Sequence, residues 1–287
     1  MDKFVSYSQN FITDPNLVKA LIKKSNLAIS DTVLEIGAGK GIITTELSKA
    51  CKKVIAVEID KNLYDFLSSN LKSSNITLIN EDILKVNLPN EGFKVFSNIP
   101  FNYTSRIIDR LYFENNSPQS AYLIMQKEVG DIYLGLPRET QNALLLKPFF
   151  EIKVFYKFNK KDFKPAPFID IIMLHIDKLE IPLIEETNKD NYFDFVVYGT
   201  TQCKTTLKEN LSKIFTSEQF KRLAKNLDFS VTTRPLDITY IQWVELFKYY
   251  QEFVIEGKKA LVKDSYNKQK LEQSKLKKVY KTWRHSY

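Results

Sequence analysis

The chain has 287 residues, 44% of them hydrophobic, and a formal net charge of +8, enough to bury the cores of one large and one small domain. No apolar run approaches the ~20 residues of a membrane span, and the opening MDKFVSYSQNF lacks the apolar core of a secretory signal, so a cytoplasmic protein with no membrane partner is expected. Two cysteines (Cys51, Cys203) and two histidines (His175, His285) are too few and too scattered for a disulfide framework, a zinc knuckle, Ser-His-Asp catalysis or a multi-histidine site; no metal is expected.

The first segment, Ser8-Gln9-Asn10-Phe11-Ile12-Thr13-Asp14-Pro15, is a polar loop entering a helix, with Asp14 as N-cap and Pro15 in the first turn. The stretch that organises the chain follows. Thr32-Val33-Leu34-Glu35-Ile36 reads as a buried strand, Gly37-Ala38-Gly39-Lys40-Gly41 as a tight glycine turn, and residues 42–51 as a helix. Such a strand–glycine loop–helix opens a doubly wound α/β domain and lets a nucleotide approach the backbone. Its G-x-G-x-G spacing puts Ile42 where a dinucleotide fingerprint has its third glycine.

Further strands are expected at 54–59, 76–80, 94–97 and 121–125, with helices at 61–71, 104–113 and 139–149. Most of the strands are continuous apolar runs, as in parallel sheets covered on both faces. The runs 152–158 and 170–176 flank a short Lys/Pro loop with no helix between them and read as an antiparallel pair at the sheet edge. Beyond residue 180 the texture becomes polar and helical, at 190–199, 205–215, 217–226 and 237–255. Residues 257–287 hold nine Lys and one Arg against Asp264 and Glu272, and so carry the whole charge excess, interleaved with Tyr266, Tyr280, Trp283 and Tyr287. That mixture suits RNA, because cations release phosphate counterions and rings stack on bases; it also suits a merely solvated tail.

Each strand of the first half delivers a polar residue at its C-terminal end, where an open α/β sheet binds its ligand. Strand one gives Glu35 and the glycine loop with Gly37 and Gly39. Strand two gives Glu58, suited to two ribose hydroxyls, and strand three gives Asp82, suited to an exocyclic adenine amine. Strand four gives Asn98-Ile99-Pro100-Phe101. Methylating an exocyclic amine is difficult because the nitrogen lone pair is delocalised into the base. The amide oxygen of Asn98 and the carbonyl of Pro100 could accept the amine hydrogens and favour a nucleophilic geometry. Phe101 offers a face for an extruded base.

With these motifs in order, and with Phe163-Lys164-Pro165-Ala166-Pro167 after them, the chain resembles the rRNA adenine-N6 methyltransferases over residues 4–255. The resemblance implies an α/β fold of the Rossmann-like class I methyltransferase type: a seven-stranded, mostly parallel sheet with a terminal antiparallel hairpin, plus a small C-terminal helical domain. It implies S-adenosylmethionine as methyl donor, bound by Asn10, Ile12, Gly37, Gly39, Glu58, Asp82 and Asn98. It also implies Asn98, Pro100 and Phe101 as the residues serving catalysis, with Phe163 as a second aromatic wall for the base or, equally, a hairpin core residue. The expected domains are a catalytic one over 1–178, a helical RNA-binding one over 179–256 and the basic tail over 257–287, in a monomer.

Two branches of this family fit. Asn98-Ile99-Pro100-Phe101-Asn102-Tyr103-Thr104-Ser105 is similar to the Erm type, which methylates one adenine of 23S rRNA and confers macrolide–lincosamide–streptogramin B resistance. Gln126-Lys127-Glu128-Val129 resembles the branch that dimethylates small-subunit 16S rRNA in ribosome maturation. An NAD-dependent oxidoreductase would share the loop and Glu58 but lacks the third glycine and a catalytic set. A non-catalytic RNA-binding relative would have little need of the intact quartet.

Overall fold

Short apolar runs become strands here because both faces of the sheet are covered. In the computed structural model, which describes residues 10–275 apart from 91 and 115, the strands are β1 (Thr32–Ile36), β2 (Lys53–Val57), β3 (Ile76–Ile79), β4 (Phe93–Asn98), β5 (Ser120–Gln126), β6 (Phe150–Lys157) and β7 (Ile171–Lys178). They form one seven-stranded sheet in the order β3-β2-β1-β4-β5-β7-β6. The first five are parallel to their neighbours, and β7 runs antiparallel to both β5 and β6. This is the doubly wound sheet with a terminal hairpin that the sequence predicts. Val33, Leu34, Val54, Ala56 and Val95 are fully buried in its centre.

The strand order reverses between β1 and β4, and there the ladder stops early. Thr32–Leu34 pairs with Phe93–Val95; beyond it Ser97 Oγ donates to the Ile36 carbonyl (2.5 Å) and accepts from the Ile36 N–H (3.2 Å). A side chain thus replaces ladder bonds while the two strands part at their C-terminal ends. That is the crevice in which such sheets bind ligands.

Helices α1 (Pro15–Lys24), α2 (Ile42–Ala50), α3 (Lys61–Asn70), α4 (Thr104–Tyr112) and α5 (Lys127–Leu134) cover the sheet. Asp14 and Asp60 cap α1 and α3 by accepting backbone N–H groups, at 2.8 Å from Asn16 and Asn62. α5 is not among the expected helices, and it carries Gly130 at its middle. That glycine is there for close approach: a Cβ on it would lie 2.6 Å from Ile172 Cδ1 of β7. A separate antiparallel ladder joins Phe11–Ile12 to Phe163–Lys164, so the N-terminal segment is laid against the hairpin loop.

The chain divides into two compact units, one of residues 1–136 and 149–181, the other of 137–148 and 182–287. The boundary expected near 178 is close, but the segment around α6 (Gln141–Leu146) leaves the first unit for the second. Its Leu144 carbonyl accepts from the Tyr192 hydroxyl at 2.9 Å, and Gln141 donates to Thr200 at 2.7 Å, both on α7 (Lys189–Thr201). The helical unit continues with α8 (Leu207–Asn210), α9 (Ser217–Asn226) and α10 (Tyr240–Phe253). Each starts with a Thr whose side chain and a Glu or Gln three residues on cap one another's backbone.

The expected basic tail is helical over its first part, as α11 (Glu256–Lys259) and α12 (Ser265–Lys275). Asp194 of α7 accepts the N–H groups of Asp264 (2.7 Å) and Tyr266 (2.9 Å), and the Tyr266 ring meets Phe193 edge-on at 5.3 Å. Residues 276–287, including His285, and Ser8-Gln9 lie outside the described residues. Among the described residues no helix is long and apolar enough to cross a membrane.

Candidate active site

The polar residues predicted at the strand ends converge on one crevice. Gly37 and Gly39 both have positive φ (+74° and +58°), and Gly39 also needs the space: a Cβ on it would lie 2.8 Å from Phe11 Cε1. The Gly39 N–H donates to Glu58 Oε2 at 2.8 Å, and the Asp60 N–H donates to Glu58 Oε1 at 2.9 Å. Strand β2 ends at Val57, two residues before the end expected at 59, so Glu58 stands just outside it. Its buried carboxylate is oriented by two backbone donors and keeps further lone pairs for a ligand.

Beside it, Ile59 (57% exposed), Ile83 and Pro100 form the walls of an apolar slot with Asp82 and Gly37 at its edges. An apolar slot closed by a carboxylate fits a planar base with an exocyclic amine. Asp82 also holds its own loop by accepting from the Leu84 N–H at 3.0 Å. Asn10, Phe11, Gly37, Gly39, Glu58, Asn98 and Phe101 line the adjoining hollow, and Ile12, Glu35 and Asn98 the next.

The quartet is the most informative part. Asn98 Nδ2 donates to the Asn10 carbonyl at 2.7 Å, and Asn98 Oδ1 is buried with no partner. An unpartnered buried acceptor is costly, and because Asn98 lines both hollows a donor bound there could satisfy it. Phe101 is half-buried at the same hollow. The Pro100 carbonyl, expected to share the amine with Asn98, already accepts from Tyr103 N–H at 2.9 Å and the Thr104 hydroxyl at 3.5 Å. It starts the turn into α4, and Pro100, with φ −60°, lines both the slot and the hollow. The free acceptor is the Asn98 amide.

Phe163, expected as either an aromatic wall or a hairpin core residue, is packed in the hairpin. It is 3% exposed, is paired with Ile12 and meets the Phe158 ring at 5.2 Å. Lys164 takes the outward position of that two-residue strand.

One contributor, Phe11, has a role the motifs do not indicate, and Glu35, expected at its strand end, is buried. Phe11 fills the space that Gly39 leaves open, with Lys40 Nζ 5.5 Å from its ring centre. Glu35 sits in an apolar strand at 1% exposure with Oε2 unpartnered. Burial pushes its carboxyl up to about 8, with Thr44 opposing and the Glu58 charge adding. A charged letter inside V-L-E-I was the signal for it. His175 stacks on Tyr122 (4.3 Å) and bonds Ser120 (2.9 Å) within the sheet, away from these groups; burial pushes its pKa down.

The donor set suits a nucleoside-containing cation: a carboxylate held for ribose hydroxyls, an apolar slot ending in an acid, a glycine turn and a second buried carboxyl. Among the described residues there is no group of three or more His, Cys, Asp or Glu that could hold a metal ion.

Comparison with known proteins follows the same line. The family model described as ribosomal RNA adenine dimethylase matches residues 2–252. An rRNA adenine N-6-methyltransferase of Bacillus anthracis is 30% identical over 255 residues, covering 87% of this chain and 88% of the relative. A ribosomal RNA small subunit methyltransferase A of Fusobacterium nucleatum is 28% identical over 254 residues, covering 85% and 96%. Among solved structures, 23S rRNA methyltransferase ErmE matches in fold with a TM-score of 0.74 at 24% identity, over 85% of this chain and 100% of that one.

Proposed function

The chain belongs to the ribosomal RNA adenine dimethylase family, a family of RNA methyltransferases, and on that basis we propose that it methylates N6 of a specific adenine in 23S rRNA, using S-adenosylmethionine and conferring macrolide–lincosamide–streptogramin B resistance. The observation that carries the chemistry is the buried, unpartnered Oδ1 of Asn98 beside Phe101. S-adenosylmethionine supplies an electrophilic methyl group on a sulfonium. Glu58, Asp82, Gly37, Gly39, Asn10 and Ile12 are the residues that would hold it.

Asn98 Oδ1 accepts a hydrogen of the adenine amine. That draws the nitrogen lone pair out of conjugation and stabilises the positive charge that develops on nitrogen. Phe101 stacks on the extruded base, replacing the stacking lost when the base leaves its helix. The methylated nitrogen sheds its proton to water, so no general base is required.

The 23S assignment is supported by the Asn98-Ile99-Pro100-Phe101-Asn102-Tyr103 run, with Phe in the fourth place. Dimethylation of small-subunit 16S rRNA is the second reading. It is favoured by Gln126-Lys127-Glu128-Val129 and by the relative named for the small subunit.

Labelled S-adenosylmethionine with protein-free 23S and 16S rRNA in separate reactions decides between them, with reverse-transcription stops locating the product. Label at one adenine of 23S rRNA is the expected result. Label on 16S rRNA or immature small subunits would transfer the protein to the maturation branch.

A further inference from the structure

Phe168 is 98% exposed, the most exposed of the large apolar side chains described. A single apolar residue on a surface is ordinary; a ring in water on a loop tied by hydrogen bonds to the candidate site is not. The loop that carries it is fastened on several sides. Lys160 Nζ donates to the Phe168 carbonyl and Asn10 Nδ2 to the Pro165 carbonyl, both at 2.7 Å. The Lys127 N–H donates to the Asp170 carbonyl at 2.9 Å. Pro165 and Pro167 limit the backbone between these anchors.

The fastening leads directly to the quartet. Asn10, which holds Pro165 through its side chain, holds the Asn98 amide through its own carbonyl. Two hydrogen bonds, through Asn10, and the three peptide links from Pro165 to Phe168 therefore separate Asn98 from the exposed ring. Lys160, Lys161 and Lys164 are exposed on the same loop. Cations that meet phosphates around a ring that meets a base are the recognition elements of single-stranded nucleic acid. Phe163 on the same loop is buried against Phe158, so Phe168 is the ring that this loop exposes.

We propose that Phe168 is a stacking platform for an unpaired RNA base next to the adenine that is methylated, an inference that rests on the rRNA-methylation reading above. Its ring binds a neighbour of the target, while Phe101 in the hollow receives the target itself. Holding the flanking base on a fixed platform keeps the strand unstacked while the adenine is out of the helix.

Phe168→Ala, Phe168→Leu and Phe168→Trp, each in the full chain, test this with two readouts. The first is fluorescence-anisotropy binding of single-stranded oligoadenylate against a duplex RNA of equal length. The second is KM and kcat on the rRNA fragment that the wild type methylates. Phe168→Ala should weaken oligoadenylate binding and raise the RNA KM by about ten-fold, the loss of one base–aromatic stack. Duplex binding, donor affinity and Tm should stay unchanged. Phe168→Trp should restore the wild-type values and Phe168→Leu should not, because stacking needs the ring. Wild-type values for Phe168→Ala, or for Phe168→Leu, would overturn the inference and leave the methylation reading intact. A wild type that methylates no rRNA would overturn that reading and, with it, the role assigned beside a target adenine.

Discussion

Glu35→Gln probes the buried carboxyl most directly. The Glu35 carboxyl is about 8 in the folded chain against an ordinary 4.5. Between these values the unfolded chain has released the proton and the folded one has kept it, so folding stability falls as pH rises through the window. Each pH unit costs ~1.4 kcal/mol. Gln cannot titrate, so all other ionisations cancel when the two proteins are compared at each pH. From pH 5.5 to 7.0 the variant should gain ~2 kcal/mol on the wild type, which for a chain of this size is a Tm difference that grows by about 4–8 °C. Thermal unfolding followed by circular dichroism at steps of half a pH unit measures it, without donor or RNA. Parallel Tm curves for the two proteins would mean that Glu35 is ionised in the fold, and the account of its burial would be wrong.

Binding of the sulfonium donor should favour the Glu35 carboxylate and release a proton near pH 7; titration calorimetry in buffers of different ionisation enthalpy reads that proton, and a buffer-independent enthalpy would refute it. Asn98→Ala should lower kcat on rRNA by at least ~100-fold and weaken the hold on the N-terminal segment by only ~1 kcal/mol, separable by single-turnover kinetics and Tm. Gly39→Ala pushes a Cβ to 2.8 Å from Phe11 on a backbone with φ +58°; donor affinity should fall and stability drop by ~1–3 kcal/mol, and equilibrium dialysis with unfolding curves checks both. Deleting residues 276–287 removes Lys277, Lys278, Lys281 and Arg284 and should flatten the salt dependence of RNA affinity by up to ~3 in log–log slope. Deleting from residue 256 onward should also lower Tm, because Asp194 loses both backbone donors and Phe193 its ring partner.

What was legible in the sequence was what is local in the chain. Val33 to Gly41 announces strand and turn within nine letters, with the helix starting at Ile42, and Glu58, Asp82 and Asn98 each follow an apolar run closely enough to be read as strand ends. What was not legible depends on partners far away. Phe163 and Lys164 form a strand two residues long, too short for alternation to reveal which side faces the core; pairing with Ile12 decides it. The apolar letters of Ala143 to Leu146 fit either unit, and only contacts with α7 assign them to the helical one. The first part of the basic tail becomes structure because Asp194, about seventy residues earlier, caps it. Gly130 within α5 is explained only by Ile172 of β7, about forty residues later, against which the helix packs.

The Asn98 amide has two ends of nearly equal size and opposite polarity, and by shape alone it could sit either way round. The Asn10 carbonyl removes that degeneracy by claiming the NH2 end, which leaves oxygen, and not nitrogen, as the end without a partner. Because the group that makes the choice belongs to the main chain, no substitution of the residue 10 side chain abolishes it directly. The polarity of the site is protected against point mutation there and vulnerable to displacement of the segment itself. A shortened or shifted N-terminal strand would leave every catalytic letter in place and allow the amide to present a donor where an acceptor is needed.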